Sequence, residues 1–111
     1  MAEIARRTVD ALPPDWEVSR LAQRLREHLP EIRARYGLDN VALFGSYIRN
    51  EQRSDSDLDM LVTFTRTLSL FDLVGLSEDL RDALGVPVDL AQRDRLQPRL
   101  ARYILREAVE V

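Results

Sequence analysis

From Trp16 to Tyr36 the apolar residues Val18, Leu21, Leu25, Leu29, Ile32 and Tyr36 recur at spacings of three and four, with Arg20, Arg24, Glu27, Glu31 and Arg35 between them. That period predicts an amphipathic helix with one face turned to a core. Pro30 interrupts the pattern, predicting a kink or a split, and Gly37 is a natural stop. Val41–Phe44 is a short apolar run between Asp39-Asn40 and Gly45, which predicts a buried strand. Farther on, Leu58, Met60 and Val62 alternate with Asp57, Asp59, Leu61 and Thr63, the period of a strand packed hard on one face with its acids on the other. Ser69, with Asp72 three residues later, predicts the cap of a helix over 70–84, and Gly85 its end. The apolar stripe of that helix is expected at Leu70, Leu73, Val74, Leu80 and Leu84. Residues 86–90 read as a third strand, placed at an edge or a terminus by Pro87. A last helix is expected over 96–108, with Leu96, Leu100, Tyr103, Ile104 and Ala108 as its stripe. The predicted order is helix, strand, strand, helix, strand, helix, preceded by a flexible or docking arm over residues 1–14 that ends in Pro13-Pro14; residues 15–111 form the domain.

Composition limits what such a domain does. At 111 residues the chain has room for one compact core. It contains no apolar run approaching the ~20 residues that span a bilayer, and the N-terminus lacks the apolar stretch and cleavage site of a secretory signal. A cytoplasmic location without membrane association is therefore expected. The absence of cysteine excludes disulfides, thiolate zinc sites and a cysteine nucleophile. With His28 as the single histidine, a metal must be held mainly by oxygen, which suits Mg²⁺ or Mn²⁺. Every basic residue is arginine, so lysine chemistry is absent as well. A net charge of −3 supplies no general attraction to nucleic acid, and no stable nucleic-acid binding is expected.

The candidate chemistry lies between Gly45 and Asp59. Asp57 and Asp59 flank one apolar residue on a predicted strand, so both project from one face, about 6 to 7 Å apart at the backbone. Two such carboxylates suit two-metal phosphoryl chemistry, although an Asp-x-Asp is also ordinary in a solvated turn. Gly45-Ser46 directly follows a strand, where a glycine permits close backbone approach and where a serine hydroxyl and turn amides can face a phosphate. The two elements are joined at a fixed interval: Gly-Ser, ten residues, then Asp-x-Asp.

With that spacing the chain resembles the DNA polymerase β-like nucleotidyltransferase superfamily and, within it, the minimal nucleotidyltransferase (MNT) family. The similarity takes in the strand before the motif, Arg49, Leu61-Val62 and an acidic third strand at Val88-Asp89-Leu90, roughly residues 38–108. It implies an α/β fold, a small mixed sheet with helices packed mainly on one face and carboxylates at the other. It further implies that Asp57 and Asp59 bind Mg²⁺ and the triphosphate of ATP, and that Ser46 with the Gly45 backbone holds the terminal phosphates. Asp89 would be the third carboxylate, completing the metal site and orienting or deprotonating the attacking hydroxyl. Arg49 would either neutralise phosphate charge or pin the loop through a carboxylate. Where the family has glycine after this arginine the chain has Asn50, the residue that best replaces glycine in a left-handed turn. Free-standing members resemble the antitoxins of HEPN/MNT toxin-antitoxin pairs. The expected activity is therefore transfer of AMP from ATP to a tyrosine of a HEPN ribonuclease toxin, with the partner docked on an exposed stripe around Leu100 and Ile104 or on the N-terminal arm. The alternatives are an antitoxin that acts by binding alone, or transfer to a small molecule or RNA; homo-oligomerisation also remains open.

Overall fold

The structure, a computed structural model, describes residues 7–111. Helix α1 spans Glu17–Tyr36 and buries Val18, Leu21, Leu25, Leu29, Ile32 and Tyr36, the predicted stripe, together with Ala22. It runs through Pro30 without a break. The proline ring lies on the exposed side, and the missing N–H removes a single bond from a helix whose flanking Leu29 and Ile32 are both held in the core. Gly37 ends α1 in the left-handed conformation, φ 71°, its N–H donating to the Arg33 carbonyl.

Strand β1, Leu38–Phe44, starts earlier than the apolar run suggested, because Leu38 already pairs with Phe64 before an irregularity that ends at Val41. It lies antiparallel to β2, Leu58–Phe64, while β2 runs parallel to β3, Val88–Gln92. A parallel pair needs a crossover. Helix α2, Leu70–Leu84, supplies it, opened by the Ser69–Asp72 capping box and closed by Gly85 at φ 77°. Helix α3, Pro98–Glu107, leads into a two-residue strand β4, Val109–Glu110, antiparallel to β1 at Ala42 and Leu43. The sheet order is β3-β2-β1-β4, which makes β3 an edge strand as Pro87 implied.

Strand parity divides the sheet. Val41, Leu43, Leu58, Met60 and Val62 belong to the same buried cluster as the apolar faces of α1 and α2. Ala42 and Leu61, which pair across β1 and β2, are buried outside that cluster, and one pair along on the same face are Phe44 and Asp59. The helices and the carboxylate of Asp59 thus occupy opposite faces, as the resemblance implied.

One feature departs from the periodicity, and two others bear on the expected docking surfaces. On α2 the buried line is Leu76, Leu80 and Leu84 with Leu73 beside it, while Leu70 and Val74 are exposed. Those two lie off the stripe that the later leucines define at spacing four. On α3 no residue is buried; Leu100 and Tyr103 are 53% and 71% exposed, whereas Ile104, expected in the exposed stripe, is partly buried. Of the arm over residues 1–14, residues 1–6 lie outside the described residues, and the remainder is seated on the domain. Val9 is buried, Thr8 bridges Glu110, and Asp10 pairs with Arg26 at 2.9 Å.

Candidate active site

The end of β1 and the start of β2 meet in register, Phe44 opposite Asp59, so the chain leaves β1 at Gly45 directly beside the Asp59 side chain. Gly45 has φ 86°, and a Cβ at that position would stand 2.0 Å from Asp59 Oδ2. Glycine is required here twice over, by its backbone angle and by the carboxylate that fills the space. Residues 46–50 then form tight turns, with the amides of Ile48 and Arg49 both donating to the Gly45 carbonyl, at 3.1 and 3.3 Å. The turns are anchored by Tyr47 and Ile48, both buried in the main core. Their burial leaves Ser46 partly open and Arg49 exposed. Asn50 takes φ 56°, the left-handed angle that its residue type suggested.

Asp57 lies one residue before β2 and is exposed, whereas Asp59 is half-buried within the strand. On the other side of β2, parallel pairing sets Asp59 opposite Asp89. This register brings the third candidate carboxylate, distant in sequence, beside the Asp-x-Asp pair. The Asp59 carboxyl is pushed up to about 6, first by burial and then by the negative charges of Asp89 and Asp57; Arg49 offsets part of this, and Glu107 adds to it. A neighbouring phenol responds similarly: burial raises Tyr47, helped by the charges of Glu17 and Asp57.

Glu107, at the end of α3, is a site residue that the sequence reading missed. One of its oxygens accepts the Gly45 N–H at 3.3 Å, and the other accepts from the Arg49 guanidinium, whose Nε donates to Glu51 at 3.0 Å. Arg49 is therefore pinned through carboxylates in this structure. No local signal marks Glu107, because its partners lie about sixty positions away in the chain.

Asp89 also borders an open groove of about 380 Å³ between α2 and β3, lined by Leu73, Val74, Ser77, Glu78, Val88 and Leu90 among others. His28 lies apart, in a separate groove between α1 and α2 with Glu31, Asp79 and Asp82, and none of the candidate site residues lines that groove. Among the described residues no three carboxylate or imidazole groups converge tightly enough to enclose an ion by themselves. The donor set at Asp57, Asp59 and Asp89 is nonetheless all oxygen and mutually repelling, which suits a hard divalent cation that shares its coordination with phosphate oxygens. Among the described residues no helix is long and apolar enough to cross a membrane.

Compared with known proteins, residues 25–111 match the Nucleotidyltransferase domain family. The chain belongs to that family. This nucleotidyltransferase is 41% identical over 87 residues, 78% of its own length and 88% of the relative's, to the protein adenylyltransferase MntA of Thermococcus cleftensis. A solved structure assigned to the minimal nucleotidyltransferases is 40% identical, with a TM-score of 0.69 over 86% of this chain and 95% of the other. A chain from the complex of tri-AMPylated Shewanella oneidensis HEPN toxin with MNT antitoxin superposes with a TM-score of 0.54 over 85% of this chain and 67% of that one. At 23% identity that last likeness is one of fold. The nucleotidyltransferase therefore sits among the minimal members of its family, with the mixed sheet and helix-covered face that its sequence implied.

Proposed function

We propose that this nucleotidyltransferase transfers AMP from ATP to a tyrosine hydroxyl of a HEPN-type ribonuclease and thereby acts as its antitoxin. The observation that carries the transfer chemistry is the cross-strand pair Asp59–Asp89 set against Gly45. A half-buried carboxylate beside two others is a costly arrangement for a protein that only binds its partner, and a useful one for handling a charged triphosphate.

In this proposal Asp57 and Asp59, with Asp89 completing the site, hold Mg²⁺, for which Mn²⁺ could substitute, and with it the triphosphate; the bound ion would neutralise phosphate charge and polarise the α-phosphate. Ser46 and the turn that Gly45 opens fix the terminal phosphates, with Arg49 beside them; the Gly45 N–H itself is held by Glu107. Asp89 orients the acceptor hydroxyl and takes its proton as the oxygen attacks the α-phosphorus and pyrophosphate departs. The protein acceptor is supported by the similarity to a protein adenylyltransferase, and docking on α3 by the exposure of Leu100 and Tyr103.

Incubating the chain with Mg²⁺, ATP and a HEPN-type ribonuclease should add one or more AMP units to a partner tyrosine, read as intact mass, with loss of RNase activity. Equal inhibition by Asp57→Asn protein without a mass change would establish binding alone. A second acceptor class, RNA, is favoured by one feature. Arg93, Arg95, Arg99, Arg102 and Arg106 are all exposed on and before α3, and among the described residues none takes part in a side-chain ion pair. AMP appearing on RNA and never on protein would select that reading.

A further inference from the structure

We propose that Glu107 is a positioning residue for nucleotide binding, the brace that presets the Gly45–Arg49 turn; the inference rests on the nucleotide reading given above. Three observations carry it. First, one carboxylate accepts both from the Gly45 amide, at 3.3 Å, and from the Arg49 guanidinium, so it fixes the first residue and the cationic residue of the turn together. Second, the backbone of Glu107 is itself held in place. Val109, two residues on, is fully buried in β4, and β4 pairs with Ala42 and Leu43 of β1, the strand that leads into Gly45. Third, none of the residues of α3 is buried, so Glu107 is not positioned by a packed helix face.

Across the sheet, Asp89 on β3 and Asp59 on β2 stand on one side of Gly45, and Glu107, next to β4, stands on the other. As an anion Glu107 has no favourable contact to offer a phosphate. Its influence on the triphosphate passes through Arg49, while its bond to the Gly45 amide holds the turn that carries the arginine: an arginine already aligned by Glu51 and Glu107 loses less conformational entropy when it meets the triphosphate than a free one. Outer partners that orient metal ligands change affinity or activity by about 10- to 100-fold when removed, and a carboxylate that orients a phosphate-binding arginine should act on the same order.

The test is a double-mutant cycle on Mg·ATP affinity by calorimetry, using wild type, Glu107→Ala, Arg49→Ala and the double variant, with Glu107→Gln as the shape-preserving substitute should the alanine variant fold poorly. Glu107→Ala should weaken Mg·ATP binding about tenfold or more. The double variant should bind no worse than Arg49→Ala, because the brace works through the arginine. The Gly45 amide should exchange with solvent faster in Glu107→Ala without nucleotide, and Glu107→Asp should recover part of the affinity. A folded Glu107→Ala or Glu107→Gln protein that binds Mg·ATP as well as or better than wild type overturns the inference, as do additive effects in the cycle. Wild-type protein that does not bind Mg·ATP overturns the nucleotide reading itself, and the inference with it.

Discussion

Helices α1 and α3 have the same kind of apolar spacing and opposite fates. Along α1 seven residues are buried against the sheet and α2, whereas along α3 none is. The first helix spends its pattern on stability. The last one leaves Leu100 and Tyr103 in solvent, flanked by arginines, while its final residue reaches the turn at Gly45. The molecule is thus divided into a helix-covered side that holds it together and a rim, from Asp89 across to Glu107 and α3, whose groups contribute little to folding. Like charges gathered around Asp59 cost stability, and an exposed apolar face returns none of what a buried one would.

The sharpest way to break this division is a rim substitution that ought to abolish chemistry and leave folding untouched. Asp89→Asn should lower turnover by about 10²- to 10⁴-fold, the range for a positioned proton acceptor. ATP affinity should fall less than turnover, and the thermal midpoint should change little, because Asp89 is exposed. Steady-state kinetics with a melting curve check this; wild-type turnover would make Asp89 a bystander.

Next in size is a matched pair of truncations, one on each helix. Leu25→Ala on α1, at a fully buried position, should cost about 2–5 kcal/mol of unfolding free energy in denaturant. Leu100→Ala on α3 should stay within about 0.5 kcal/mol of wild type, yet weaken capture of the proposed protein partner. Equal destabilisation by both would erase the comparison.

The smallest effect sharpens the division at Asp59 through pH. Its carboxyl titrates near 6 in the folded protein, above the ordinary value of 3.8, so between about pH 4 and 6 the native state holds more protons than the unfolded chain. Stability from this group is therefore fullest at low pH, falls as pH rises through that window, and carries a constant penalty above it. Asp59→Asn should remove the penalty, making ion-free protein more stable than wild type at pH 7 and about equal at pH 4. For a half-exposed group the gain is about 1 kcal/mol after solvent screening. The carboxyls of Asp10, Asp72 and Asp79, held low by hydrogen bonds and arginine partners, act in the opposite sense and are common to both proteins, so the difference between the two melting curves isolates Asp59.

Local signals alone were enough for much of this. The stripe of α1, the Ser69–Asp72 box, the left-handed Gly37, Gly85 and Asn50, and the alternation of Leu58, Met60 and Val62 all depend on neighbours within a turn or a strand, and each is found where the chain announces it. The Gly-Ser to Asp-x-Asp interval belongs to this class, since it spans a single loop between paired strands.

Other features exist only once distant segments meet. Strand β4 has two residues and hence no period to detect; it forms because β1 has a free edge at Ala42 and Leu43. The contact of Asp89 with the site depends on parallel registry with Asp59, which family resemblance suggested but no local pattern encodes. Glu107 meets Gly45 and Arg49 across some sixty residues. Whether an amphipathic helix is covered is likewise not written in its own period, because burial depends on a facing surface being available. With the helix-covered face of the sheet filled by α1 and α2, α3 buries none of its residues fully and leaves Leu100 and Tyr103 in solvent.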